Sequence, residues 1–218
     1  ASGHGGAIYI INGDIIVSNS SFINTTSSSG SGGAISNTGR KGNIIVSNSS
    51  FINTTTTEIY GCGGAIYGVD VIVTNSSFIN TTTTGDYADG GAIYSCGNVN
   101  VTDSRFTNTI VNGTSDWGGG GAINCNGRAT VTDSIFTNTL APYGVGGAIM
   151  GLGGVNVINS TFTNNTALWG SAMFTTDLNL SNSRFIENNI TGKEIIYVLS
   201  SNVILNNNTI TTNAIPIY

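Results

Sequence analysis

The sequence predicts an all-β protein: a right-handed single-stranded parallel β-helix of about eight coils of 23–30 residues, with three short strands per coil and one domain over residues 1–218. Three observations carry that prediction. A phenylalanine returns throughout the chain, at Phe22, Phe51, Phe78, Phe106, Phe136, Phe162 and Phe185, with Ile210 in its place at the end. The residues before each marker alternate between apolar and polar, which is the two-residue period of a strand with one buried face. A Gly-Gly-Ala-Ile landmark precedes the marker at Gly5, Gly32, Gly63, Gly90, Gly120 and Gly146, and decays to Gly170-Ser171-Ala172-Met173 and then Ile195-Ile196-Tyr197.

Within a coil the Gly-Gly-Ala-Ile strand comes first. Paired glycines permit positive φ and close backbone approach, and the small-then-branched pair after them suits a short inward strand. The valine strand follows. Its inward columns are Ile15, Ile44, Val71, Val99, Ala129, Val155, Leu178 and Val203, then Val17, Val46, Val73, Val101, Val131, Val157, Leu180 and Leu205. Three residues before the marker stands a polar column: Asn19, Asn48, Asn75, Asp103, Asp133, Asn159, Asn182 and Asn207. A second column, from Asn24, Asn53 and Asn80 to Asn164, stands two residues after it. Asparagine stacked on asparagine can pass hydrogen bonds along the stack and satisfy buried turn amides, so both columns are expected to face inward as ladders. The threonine runs at 54–57 and 81–84 leave the phenylalanine strand and enter a variable loop.

Composition narrows the function classes. Only 8% of the residues are charged and the net charge is −5, so no basic patch exists to neutralise phosphates, and nucleic-acid binding is excluded. The regular apolar columns rule out a disordered polar tract. No apolar run reaches the length of a membrane span. The opening at Ala1 reads either as a processed mature chain or as a segment of a longer solenoid. A single histidine with no close cysteine pair cannot complete a zinc site, and no cofactor is expected.

Cys96 and Cys125 follow their Gly-Gly-Ala-Ile strands in successive coils, nearly above one another, which points to a disulfide; the alternative is two buried thiols. Cys62 is left over. Asp103 and Asp133 replace the ladder asparagine in consecutive coils. They face solvent, share a proton, pair with Arg105 or Arg128, or hold calcium, and solvent exposure is the first expectation.

Two sets of outward residues are candidate interfaces. Ile16, Ile45 and Ile72 on the valine strand, and Ile23, Ile52 and Ile79 on the phenylalanine strand, form apolar stripes where later coils mostly carry asparagine or threonine, as at Asn100, Thr130, Asn156, Thr107, Thr137 and Thr163. The alternative is surface isoleucine kept for strand propensity. An aromatic row, Tyr60, Tyr87, Trp117, Tyr143 and Trp169, lies in the variable loops among Glu58, Asp86, Asp89 and Asp116. It reads either as a sugar-stacking or docking strip or as rings that cover their own loops.

The Gly-Gly-Ala-Ile landmark paired with Phe-x-x-Asn (Phe162 to Asn165, Phe185 to Asn188) resembles the repeats of chlamydial polymorphic outer-membrane proteins. The Asn, Thr and Ile phrasing around it is similar to that of adhesin-like surface proteins of methanogenic archaea. The resemblance covers almost the whole chain and implies a parallel β-helix in an extracellular, cell-surface setting. The function expected is a non-catalytic structural or adhesive solenoid, a homo-oligomer or homopolymer that builds a fibre or envelope layer, with surface glycans or other cells as further partners. The alternative is a polysaccharide-binding or pectate-lyase-like β-helix, for which Gly3-His4-Gly5 matches one short polygalacturonase motif without its acidic companions. Ice binding would need outward Thr-x-Thr in every coil, and only Thr107/Thr109 and Thr137/Thr139 supply it.

Overall fold

In the computed structural model, which describes residues 3–114, 118–190, 194–200 and 202–211, the chain forms a parallel β-solenoid. One complete coil runs through strands Ile66–Gly68, Asp70–Thr74, Ser77–Ile79 and Thr82–Thr83. Each strand pairs in parallel with its equivalents one coil before and one coil after. Three sheets have eight strands each, and the order in each follows the chain.

The register matches the columns read from the sequence. Phe78 lies opposite Phe51 and Phe106, and Val71 and Val73 lie opposite Ile44 and Val46 on one side and Val99 and Val101 on the other. Ile210 takes the marker's place opposite Phe185. Phenylalanine rings from Phe22 to Phe185 stack at 4.7–4.9 Å between centroids with planes within 5°. The six from Phe51 onward are fully buried. A ring-over-ring column follows directly from strand spacing, because one coil's rise equals the separation of hydrogen-bonded strands, about 4.8 Å.

Each glycine of the pair has its own reason. The first sits at φ 62–73° in coil after coil, a left-handed conformation that a side chain disfavours. At the second, as at Gly64 and Gly91, a Cβ would collide with the carbonyl of its equivalent in the next coil. From the second coil onward the alanine that follows is fully buried and the residue after it, isoleucine or Met173, enters the core.

A fourth sheet, of seven strands, adds to the three expected. It runs from Thr26–Ser27, Thr55–Thr56 and Thr82–Thr83 to Leu140–Val145, Thr166–Trp169 and Asn189–Ile190. The threonine runs therefore do not go straight into loops. Thr56 and Thr83 point inward, and further along the column Val111, Ala141 and Ala167 form a small separate core. A two-residue strand is too short to leave an alternation pattern, so only threonine's β-branched preference hinted at it.

Candidate functional site

The two columns at the corners of the phenylalanine sheet are built differently from the expectation. Among the described residues, fifteen other than glycine have positive φ, all between 45° and 55°, and fourteen are the asparagines and aspartates of these columns; the other is Glu187. Asparagine and aspartate tolerate the left-handed region better than other side chains do, because their short polar groups bond locally. That turn throws the side chain outward, so Asn19, Asn48, Asn75, Asn159 and Asn182 are exposed, not inward. They still form rungs, with Asn75 Nδ2 donating to Asn48 Oδ1 at 2.8 Å. The second column is continuous from Asn24 through Asn53, Asn80, Asn108 and Asn138 to Asn164 at 2.8–3.1 Å.

Buried turn amides are satisfied by serine instead. Ser49, Ser76, Ser104, Ser134, Ser160 and Ser183 follow the outward column by one residue and are buried. Each backbone N–H from Ser20 to Ser160 donates at 3.1 Å to the Oγ of the serine in the next coil, and Ser183 donates to Asn208 Oδ1 at 2.9 Å. Each of those hydroxyls donates 2.8 Å to the carbonyl two residues earlier. The signal was present in the sequence as a serine after each asparagine or aspartate of the column from Asn19 to Asn182, with Asn208 in its place after Asn207.

Outside this corner lies the main candidate surface. Ile16 is 73% exposed and Ile23 56%, while Ile45, Ile52, Ile72 and Ile79 are half-buried on the same outward faces. Direct register of Ile16, Ile45 and Ile72 makes one stripe on the valine sheet, and Ile23, Ile52 and Ile79 make the other on the phenylalanine sheet. In the next coil these stripes become Asn100 and Thr107. Between the stripes runs a furrow of about 770 Å³, lined by the asparagine column, its serines, Asp103, Arg105 and Asp133. Asp103 and Asp133 are exposed there on consecutive coils. Asn159 Nδ2 donates to Asp133 Oδ1. Among the described residues no group of three or more His, Cys, Asp or Glu gathers as metal ligands, so no third such residue joins the two carboxylates.

Along the loops, Tyr60 and Tyr87 are 69% and 57% exposed, and their rings stack on each other at 5.2 Å and 14°. A pair stacked along the axis presents ring edges and hydroxyls outward, and its inner faces are taken. Tyr143 and Trp169 are exposed further along, with Trp169 meeting the edge of Tyr197 at 5.3 Å. Trp117 lies outside the described residues.

The disulfide does not form: Cys62, Cys96 and Cys125 are all free. Ser95, not Cys96, lies opposite Cys125. A one-residue offset reverses the face, so Cys125 is buried while Cys96 is exposed on the outside. Cys125 occupies an inward corner column with Asn37, Ser95 and Thr175, whose side chains donate to nearby carbonyls, and its thiol does so to Gly127 O at 3.4 Å. Burial pushes that thiol up to about 12.

Over the outer face of the first sheet the residues before each glycine pair fold back onto a layer that the sequence reading missed. Tyr67 and Tyr94 stack there at 5.4 Å, with the Tyr67 hydroxyl 3.6 Å from Cys96 Sγ. Beside them, burial raises Cys62 to about 12 and Asp89 to about 6, although Gly119 N–H at 2.7 Å and Asn124 hold the Asp89 carboxylate partly in its charged form. The signal was the tyrosine after Gly-Gly-Ala-Ile at both positions. His4 is held in the same layer: its ring stacks on Tyr9 at 5.4 Å and its Nδ1 accepts from Ser31 N–H at 3.0 Å.

Comparison of the chain with protein-family models, with curated proteins and with solved structures found no match.

Proposed function

We propose that the protein is a non-catalytic extracellular scaffold, a surface rod of the adhesin-like kind, that associates side by side with copies of itself into a fibre or envelope layer. The observation that carries this reading is the pair of isoleucine stripes. Six isoleucines stand outward in register over three coils, whereas the same faces use asparagine and threonine in the coil beyond. An apolar patch that is local and repeated in register is what an association surface requires, and strand propensity alone would be met equally by threonine. The low charge removes the repulsion that would oppose lateral packing of identical chains. The resemblance to adhesin-like surface proteins supports the extracellular setting.

The test compares the unsubstituted chain with an I16T/I45T/I72T variant by sedimentation velocity over a concentration series and by electron microscopy. The expected result is concentration-dependent oligomers or bundles for the former and monomers for the latter. A chain that stays monomeric at every concentration and shows no lateral order overturns the proposal.

A further inference from the structure

We infer that the furrow between the two isoleucine stripes is a binding site for a neutral, extended, β-linked glycan chain. The furrow is straight, because its walls are built from equivalent residues in register coil after coil, and at about 770 Å³ it falls in the size range of ligand clefts. Its hydrogen-bonding groups divide into two sets. The buried serine hydroxyls are saturated, each donating to a carbonyl and accepting from an N–H. The outward groups are not. In the rung between Asn75 and Asn48, each carboxamide keeps at least one N–H and one oxygen lone pair for a ligand. Ser21 and Ser50 bond to each other at 2.9 Å and keep further valence outward. One donor-and-acceptor set per coil, repeated at about 4.8 Å, suits a polymer that offers hydroxyls at regular intervals along its whole length.

The chemistry of the walls selects among polymers. An extended peptide would bind by adding a strand, but the backbone groups here are used between coils: Asn48 N–H donates to Thr74 O, Ser50 N–H to Ser20 O and Ser77 N–H to Ser49 O. A polyanion is disfavoured because Asp103 and Asp133 line the same channel with only Arg105 opposite in sign. Carboxylate and guanidinium groups at that end accept from and donate to vicinal hydroxyls in pairs. An α-linked chain that coils cannot follow a straight furrow. This inference uses the polar rails and not the isoleucines, so it stands or falls separately from self-association.

The experiment titrates the full chain, both unsubstituted and as the I45T/I72T variant, with cellohexaose, and follows backbone and asparagine side-chain amides by ¹⁵N NMR. Maltohexaose and hexagalacturonate are the coiled and anionic controls. The expected result is saturable shifts at 48–50, 75–77 and 103–105 with cellohexaose, in both proteins, and at least tenfold weaker responses to the controls. S50K/S77K, which fills the furrow from its outward wall, should lose the response at unchanged melting temperature. If that variant does not fold, D103N/R105T, which keeps a left-handed-tolerant residue at 103, should weaken binding at least tenfold. No shifts with cellohexaose, equal shifts with either control, shifts centred on Tyr60 and Tyr87, or full binding by the folded variants overturns the proposal.

Discussion

Ser104→Ala separates the serine rail from the asparagine rungs as a source of stability. Ser104 is 4% exposed; its hydroxyl accepts from Ser76 N–H at 3.1 Å and donates to Thr102 O at 2.8 Å. Alanine leaves the Ser76 amide buried without a partner, which costs about 1–3 kcal/mol, and removes a second bond worth about 0.5–1.5 kcal/mol. The two together give a loss of about 1.5–4.5 kcal/mol. For a chain of this length each kcal/mol lowers the melting temperature by roughly 2–4 °C, so the drop should lie between about 3 and 18 °C. Ser77→Ala, one residue after Ser76 but facing outward, removes a hydroxyl of the same size and should stay within about 0.5 kcal/mol. Urea unfolding of both variants gives the difference, and hydrogen exchange at the Ser76 amide shows whether the loss starts there. A Ser104→Ala variant within about 0.5 kcal/mol of Ser77→Ala, with Ser76 still protected, would refute the rail as the device that satisfies the turn.

Three further outcomes follow from the packing. Phe106→Ala opens a hole in the middle of the ring column, where Phe106 stacks on both Phe78 and Phe136 at 4.7 Å, and should cost about 3–5 kcal/mol in denaturant unfolding. Asp89 is raised from 3.8 to about 6 in the folded chain. Its protonated form favours folding, so stability is highest below the ordinary value, falls as pH rises towards about 6 and is level above it. The change of about two units corresponds to up to about 3 kcal/mol. Asp89→Asn should flatten that slope in melts from pH 4 to 7.5, and an unaltered slope would contradict the assignment. Thiol titration without reductant should count three free thiols in denaturant, with Cys96 reacting first in the folded protein and Cys125 protected, because Cys96 is exposed and Cys125 is buried.

What was legible in the sequence is what depends on period, and what was not depends on parity and on backbone sign. The phenylalanine and valine columns fix the coil and its register because their members face the core in all but the last coil, where Val203 and Leu205 are exposed, and burial punishes any slip. The outward isoleucines were readable for the same reason, one residue out of phase. Cys96 and Cys125 lie in consecutive coils, so period alone brings them together, but Cys125 is level with Ser95 and the pair falls on opposite faces.

The asparagine columns failed in a different way. Alternation places them by counting, whereas a φ near 50° resets the count, since a left-handed residue turns its side chain out and hands the inward position to the next residue. That residue is serine at one corner of the phenylalanine sheet. At the other it is threonine at Thr54, Thr81 and Thr109, whose buried hydroxyls have no hydrogen-bond partner among the described residues; further along the column Thr139 Oγ1 donates to Asn165 Oδ1 at 2.6 Å, and Asn165 Nδ2 donates to Asn188 Oδ1 at 2.9 Å. The Phe-x-x-Asn phrase at Asn165 and Asn188 therefore marks an internal rung, and the commoner Phe-x-Asn phrase marks an external one. The two phrases look alike in the sequence, yet the single-residue difference between them decides whether the carboxamide satisfies the interior or is presented outward.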